Sequence, residues 1–536
     1  MNLWSQPLYP VHGAALSAAV AAIPLALVLI LMGWLRKPGY VAAAAGLLSS
    51  LLLACGVWHM PVTLALWSAA YGATYALWPI MWIVFAALWL YNLAVDTGKF
   101  DLLRLWMEKH ASRDMRVQGV MVAFCFGALL EGTAGFGAPV AVAAFLLMAL
   151  GFGPRHAVVL SLIANTAPVA FGALGIPIVA LAGVTGLDQM KLSAMVGRQL
   201  PLMSLLLPSY LIVFLGGRKG LRDVWPAGLV AGGSFAAVQF GVANYWGPYA
   251  VDVLASLASI AALTVFLRFW KPAEVVRNPA PAPAAGEALA KELSVAESIA
   301  AWTPWLLLSA VMVVWSYFKL FQKFHVAFAV PHLNHAIFIT LYQKPYAAIF
   351  DFQPLAAGTA ALTATMISAI VLRASPNVLA RSGWTTLRQL RLPGLTVLLI
   401  VALAYDYNYS GMAYTLGAAL AGLGVLFPLA SAFLGWTACF LSGSDTSANL
   451  LFGNLQVAAA HRLGVNPILL AATNSSGAVT GKMISPQNIA VGVTTVGLVG
   501  QEGEILRETF WHSLLFVALL GALAFAQTHF LGWMVP

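Results

Sequence analysis

From Ala14 to Trp533 the sequence is a succession of apolar runs, each about 20 residues long, the length an α-helix needs to cross a bilayer. Backbone in hydrocarbon must satisfy its own N–H and C=O groups, so such runs commit the chain to membrane-spanning helices. Charged residues make up 8% of the 536 positions and hydrophobic residues 61%, whereas soluble domains carry roughly 25% charged residues. A soluble nucleic-acid binder is thereby excluded, in spite of a formal charge of +9. The pattern predicts an all-α polytopic membrane protein of roughly 12–14 transmembrane helices lying in a lipid bilayer.

The positive charge reports orientation. Of the 27 Lys and Arg residues, all but Lys482 fall in connections or at span ends. None precedes Arg36, the connection at Arg36 and Lys37 is basic, and residues 95–117 carry five. The positive-inside rule places the N-terminus outside, periplasmic in a bacterium, and both residues 95–117 and the connection holding Arg218, Lys219 and Arg222 in the cytoplasm. The N-terminus lacks a basic n-region, and no cleaved signal peptide is expected. Cys55, Cys125 and Cys439 lie in apolar runs and are expected to be buried free thiols. His325, His332 and His335 lack metal-ligand spacing, and neither metal nor cofactor is expected.

Residues 118–177 break the apolar rule with glycines, prolines, a carboxylate and an asparagine. Non-helical backbone at membrane depth is tolerated where it lines a cavity, which makes this stretch a candidate substrate pathway. An even number of crossings must separate the two cytoplasmic loops, and three simple spans would not supply it. A re-entrant hairpin over residues 118–150, bending at residues 131–137, restores the parity; a broken helix there is the alternative.

A second stretch echoes the first. Asn165-Thr166 is followed by Gly172 and Pro177 at +7 and +12, and Asn474-Ser475 by Gly481 and Pro486 at the same spacings. Leu150-Gly151 and Pro154 parallel Leu463-Gly464 and Pro467, and Glu131-Gly132-Thr133 has a counterpart in Asp445-Thr446. Residues 271–299, rich in Pro and Ala, read as a linker between an N-terminal half, residues 1–270, and a C-terminal half, residues 300–536. Two copies around a linker, each with a broken segment, predict inverted repeats with a re-entrant hairpin or broken helix in each. In such folds half-helix N-termini aim N–H groups at an anionic substrate near the midplane. Gly135, Gly137, Thr133, Asn165, Thr166, Ser444, Thr446, Asn474, Ser475, Ser476 and Gln487 are the candidate substrate contacts around the breaks.

Glu131, Asp252, Asp406, Asp445 and Lys482 lie within apolar runs, where ionisable groups are costly. Glu131 and Asp445, at matching places in the repeat, are candidates for binding and releasing a transported proton, with Asp406 a third or else an interfacial residue among tyrosines. Asp252, near a span start, reads as structural. Lys482 either attracts a substrate carboxylate or pairs with an internal acid.

Four motifs, GALLEGTAGFGAPVAV (127–142), NTAPVAFGALGIP (165–177), GSDTSANLLFGNLQ (443–456) and SGAVTGKMISPQNIAVG (476–492), strongly resemble those of the L-lactate permease family. The resemblance runs over nearly the whole chain, weakening in the Pro-Ala linker and in residues 319–353; Thr133 stands where the family pattern leads one to expect alanine. It implies a transporter rather than an enzyme, importing L-lactate, D-lactate and glycolate with protons across the bacterial inner membrane. A sodium-coupled carboxylate or dicarboxylate carrier is the alternative within transporters. An intramembrane aspartyl protease built on Asp406 and Asp445 is remote, since Ser442 and Ser444 stand where that motif has glycines.

Overall fold

The computed structural model describes residues 3–110, 112, 114–135, 138–277, 293–318, 320 and 323–536. Its helices in chain order are α1 (Ala14–Leu29), α2 (Gly39–Gly56), α3 (Val62–Tyr75), α4 (Trp82–Asp96), α5 (Lys99–His110), α6 (Met115–Thr133), α7 (Ala138–Ala149), α8 (Pro154–Ala164), α9 (Gly172–Thr185), α10 (Gln189–Tyr245) and α11 (Val251–Phe269). They continue with α12 (Val295–Tyr317), α13 (Ala357–Val371), α14 (Pro376–Tyr409), α15 (Met412–Leu420), α16 (Phe427–Ser442), α17 (Asp445–Leu463), α18 (Pro467–Gly481), α19 (Pro486–Thr495) and α20 (Glu502–His529). Among the described residues ten helices are long and apolar enough to cross a membrane, and eleven segments if the bent pair Pro154–Ala164 and Val169–Thr185 forms one span.

That count sits below the expected 12–14, largely because crossings run together. The 57 residues of α10 are about twice what one crossing needs. They break at Gly217, whose φ of 61° favours glycine, and fold back on themselves. Ser204 Oγ donates to Gln239 Oε1 at 2.7 Å and Ser193 Oγ to the Ala243 carbonyl at 2.8 Å. α10 is therefore a hairpin of two crossing-length limbs whose turn carries Arg218, Lys219 and Arg222.

Charge and packing agree on which connections share an end. Asp114 accepts from Arg116 Nη2 at 2.7 Å and from the Val276 N–H at 3.0 Å, while Arg116 Nη1 reaches Asp223 at 3.0 Å. The starts of α6, the turn of α10 and the segment after α11 are thus tied together. Gly119, early in α6, packs on Leu160 and on Phe152, just past α7. α6 and α7 therefore form a hairpin with both outer ends at one end of the bundle, the shape that loop parity favoured over a plain crossing.

The second half holds a similar set. Phe427, opening α16, packs with Ala459 and Ala460 near the end of α17, so these two helices also form a hairpin. α18 then runs to a break at residues 482–485, beyond which α19 brings Gly492 against Val140 and Val158 of α7 and α8. Arg155 of α8 meets Glu504 and Glu508 of α20 at 3.1 and 2.7 Å at that same end.

At the opposite end the all-α expectation is modified by two small sheets. Strand β1 (Trp4–Ser5) pairs in parallel with β3 (Ile337–Ile339), which pairs antiparallel with β4 (Lys344–Pro345); β2 (Val326–Ala329) pairs antiparallel with β5 (Ile349–Phe352). Within residues 319–353, read from sequence as a mixed connection, residues 326–352 form this cap together with Trp4–Ser5. His325 faces Asp351 at 3.2 Å and His332 lies against Trp67. Cys125 and Cys439 are buried and Cys55 is partly so, all three free thiols. Of the 271–299 linker, residues 278–292 lie outside the described residues.

Candidate functional site

The two hairpin tips and the two helix breaks meet at the centre of the bundle. α6 ends at Thr133 and α7 begins at Ala138, with Gly135 at a φ of 57° between them. Glu131, in the last turn of α6, is buried. Its Oε1 pairs with Lys482 Nζ at 2.6 Å, and its Oε2 accepts from Asn165 Nδ2 at 2.9 Å. Lys482 stands where α18 stops, and Asn165 caps the C-terminus of α8. One carboxylate thus joins a hairpin tip to both breaks, across 351 residues of sequence. A Cβ on Gly172 would lie 2.7 Å from Glu131 Oε1, so glycine there makes room for the acid.

Asp445 opens α17 two residues after Gly443, which closes α16 with a φ of 71°. Ser475 Oγ donates to Asp445 Oδ2 at 2.9 Å, leaving Oδ1 buried without a protein partner. Asp445 lies within electrostatic reach of both Lys482 and Glu131. A chain of amides backs it: Asn449 Nδ2 donates to Ser475 Oγ at 3.1 Å and to the Pro177 carbonyl at 3.2 Å, Asn474 Nδ2 to Asn449 Oδ1 at 3.0 Å, and Gln456 Nε2 to Asn474 Oδ1 at 3.2 Å. The bond to Pro177 fastens the second hairpin to the broken helix of the first half.

The remaining candidates divide. Thr166 is buried with a hydroxyl that meets no protein partner. Thr133 spends its hydroxyl on the Leu129 carbonyl within α6, and Ser476 donates to Gln199 Oε1 of α10 at 2.7 Å. Ser444 caps α17 by accepting from the Ser447 N–H, and Thr446 is partly exposed. Gln487 is exposed beside Gly443, where an added Cβ would meet its Oε1 at 2.7 Å. Gly137 lies outside the described residues.

Two further acids are placed only by the structure. Asp406, a proton candidate or else interfacial on the sequence, is fully buried, with Ser50 of α2 donating to its Oδ2 at 2.5 Å. It stands apart from the central charges, between α2 and α14. Asp252, read as structural, is instead beside them. It is 1% exposed, both carboxyl oxygens lack a protein partner, and it lies within electrostatic reach of Glu131 and Lys482. A Cβ on Gly132 would stand 2.7 Å from that of Asp252, which shows how closely α11 approaches the hairpin tip. Its signal in the sequence was the same as that of Glu131, a carboxyl in an apolar run, but it had no repeat partner. Asn449 and Gln456 lay unremarked inside a quoted motif.

The paired spacings also hide a shift. Asn165 stands at a helix end, whereas Asn474 lies inside α18, and by place in the fold Asn165 is matched by Lys482 at the other break. Glu131 precedes its hairpin turn and Asp445 follows its own.

On the side of the small sheets a cavity of about 540 Å³ opens among α3, α9, α14, α17 and the loop carrying Tyr342 and Tyr346. Its lining includes Val179 and Gly183, just beyond the Pro177 that anchors Asn449.

A membrane-embedded helical bundle in which hairpin tips and broken helices gather buried charges beneath a polar vestibule defines a membrane transporter. The sequence profile described as L-lactate permease matches residues 17–531. A glycolate permease of Escherichia coli is 43% identical, with 100% of both chains covered. L-lactate permeases of Escherichia coli and Bacillus subtilis are each 42% identical, with 100% of the relative covered and 100% and 99% of this chain. The chain belongs to the L-lactate permease family, and it is a multi-pass membrane transporter, not an enzyme. Among solved structures, Neisseria gonorrhoeae MtrF, described as illuminating a class of antimetabolite efflux pumps, matches with a TM-score of 0.51 at 12% identity, covering 94% of this chain and 97% of that one. That likeness is one of fold.

Proposed function

We propose that this protein imports L-lactate, together with D-lactate and glycolate, in symport with protons, and that the Glu131–Lys482 pair is the coupling element. The buried 2.6 Å contact between these side chains is the observation that carries the reading. Lys482 is the cation at the centre, and in the empty carrier Glu131 occupies it. A substrate carboxylate gains the ammonium once a proton neutralises Glu131, because two carboxylates would otherwise compete for one buried charge. Substrate and proton therefore bind together. The substrate hydroxyl has Asn165 and the unpartnered Thr166 hydroxyl as neighbours.

Charge balance around one ammonium needs one carboxylate, so Asp445 and Asp252 are further proton carriers in the same set. The two hairpin and broken-helix units, in residues 1–270 and 300–536, act as inverted repeats: α8 starts at the end where Arg116 lies and α18 at the end of the small sheets. Rocking of one unit against the other alternates access to the shared centre. The basic connections support a cytoplasmic Arg116 end and a periplasmic N-terminus in a bacterial inner membrane.

Counterflow in proteoliposomes with labelled L-lactate, D-lactate, glycolate and a dicarboxylate, with and without a pH gradient, tests the reading. Monocarboxylate uptake that rises with an inward proton gradient is expected. Uptake that follows sodium and ignores the proton gradient overturns it in favour of a sodium-coupled carboxylate carrier.

A further inference from the structure

The vestibule has chemistry of its own. Eight of the fifteen tyrosines in the chain line it: Tyr71, Tyr75, Tyr249, Tyr342, Tyr346, Tyr405, Tyr409 and Tyr414. Several of those hydroxyls are committed, Tyr71 to the Ile349 carbonyl at 2.7 Å, Tyr75 to Val179 at 3.3 Å and Tyr405 to Gly183 at 3.1 Å. Beside the small sheet, three donors remain. The Tyr342 hydroxyl is buried with no hydrogen-bond partner. Asn454, on α17 and 3% exposed, lies within reach of the Tyr346 and Tyr414 hydroxyls, yet its Nδ2 satisfies hydrogen-bond geometry with no protein acceptor. Lys344 places its ammonium 5.8 Å from the centre of the Tyr342 ring and forms no ion pair among the described residues. Asp351, the carboxylate in the lining, is engaged by His325 at 3.2 Å and by Gln353 at 2.8 Å.

A buried amide and a buried hydroxyl left without acceptors are costly, and a cavity walled by donors, with a cation at its rim, suits a small anion. We propose that Lys344, Tyr342 and Asn454 form an outer carboxylate subsite that captures a 2-hydroxy monocarboxylate before it passes to the central pair. The ammonium and the Asn454 amide take the carboxylate oxygens, and the surrounding tyrosine faces exclude water from the carbon skeleton. The subsite serves one face of the membrane, since it lies at the end of the small sheets and none of its donors belongs to the Glu131 cluster. Asn454 stands at the middle of the helix that Asp445 opens, so α17 contributes to both sites.

This inference rests on the transport reading above, and sidedness separates the two. Uptake of labelled L-lactate is measured in right-side-out and inside-out membrane vesicles bearing the wild type, Lys344→Gln, Lys344→Arg, Tyr342→Phe and Asn454→Ala. Expected is a KM raised about tenfold by Lys344→Gln and several-fold by Tyr342→Phe and Asn454→Ala, from the outer face alone, with the maximal rate kept. Lys344→Arg is expected to restore the wild-type KM, and Tyr342→Phe, which removes one oxygen, guards against a folding defect. An unchanged KM, or an equal change from both faces, overturns the subsite. A wild type that moves no lactate in either orientation overturns the transport reading itself.

Discussion

Replacing Glu131 by Gln separates exchange from coupling. Lys482 Nζ is 2.6 Å from Glu131 Oε1 and 7% of the lysine is exposed, so water does little to screen the contact. Removing one partner of a buried ion pair costs about 3–5 kcal/mol. Asp445 and Asp252 lie in reach of Lys482 and absorb part of that, so the variant is expected to fold with a lowered Tm. In the proposed coupling, substrate binding takes up a proton at Glu131. On that coupling apparent KM should rise with pH, by up to about tenfold per unit for one proton taken up, since one unit corresponds to about 1.4 kcal/mol. Gln imitates the protonated acid and leaves Lys482 open to the substrate at every pH. Counterflow should persist with a KM nearly independent of pH, while lactate-driven proton movement, followed with a pH dye inside proteoliposomes, should fall to the leak rate. A Glu131→Gln protein whose KM still climbs tenfold per pH unit, and which still moves protons with lactate, would refute the assignment.

Other expectations follow from the same geometry. Lys482→Met removes a charge-assisted contact of about 1.5–3 kcal/mol, and should weaken substrate affinity about 10- to 150-fold in binding or counterflow measurements. Asp252→Asn loses no hydrogen bond present in the structure, so Tm should hold or rise while the pH profile of uptake shifts; a large loss of Tm with an unaltered profile would return Asp252 to a structural role. Asp445→Asn should abolish lactate-driven proton movement at normal expression, because its bond from Ser475 can be kept by an amide oxygen. Gly477→Ala would place a Cβ 2.1 Å from the Ala432 carbonyl, backbone that cannot swing aside. About 1–3 kcal/mol of overpacking should lower the yield of folded protein in detergent.

Much of this was readable before any coordinates. Run length gave the membrane class, and loop charge, through parity, pointed to a hairpin over residues 118–150, whose two outer ends Gly119 and Phe152 bring together. Spacing gave two related sets of breaks. It misaligned them, because matching glycines and prolines register sequence, while a helix ends where its hydrogen bonds run out, four residues further along in α18 than in α8. The same limit explains the merged crossings of α10 and the small sheets over residues 326–352, where alternation is short and the β1 partner strand lies far away in the chain.

What the sequence determined by itself is what hydrocarbon enforces locally: spans, their ends, and the places where a polar residue needs a reason to be there. Only the tertiary structure decided which reasons were shared. Glu131, Lys482 and Asn165 become one unit, Asp252 joins them and Asp406 does not. An ion pair spanning 351 residues of chain leaves no periodic trace, since its energy comes from low dielectric and proximity. Both exist only after the helices have packed.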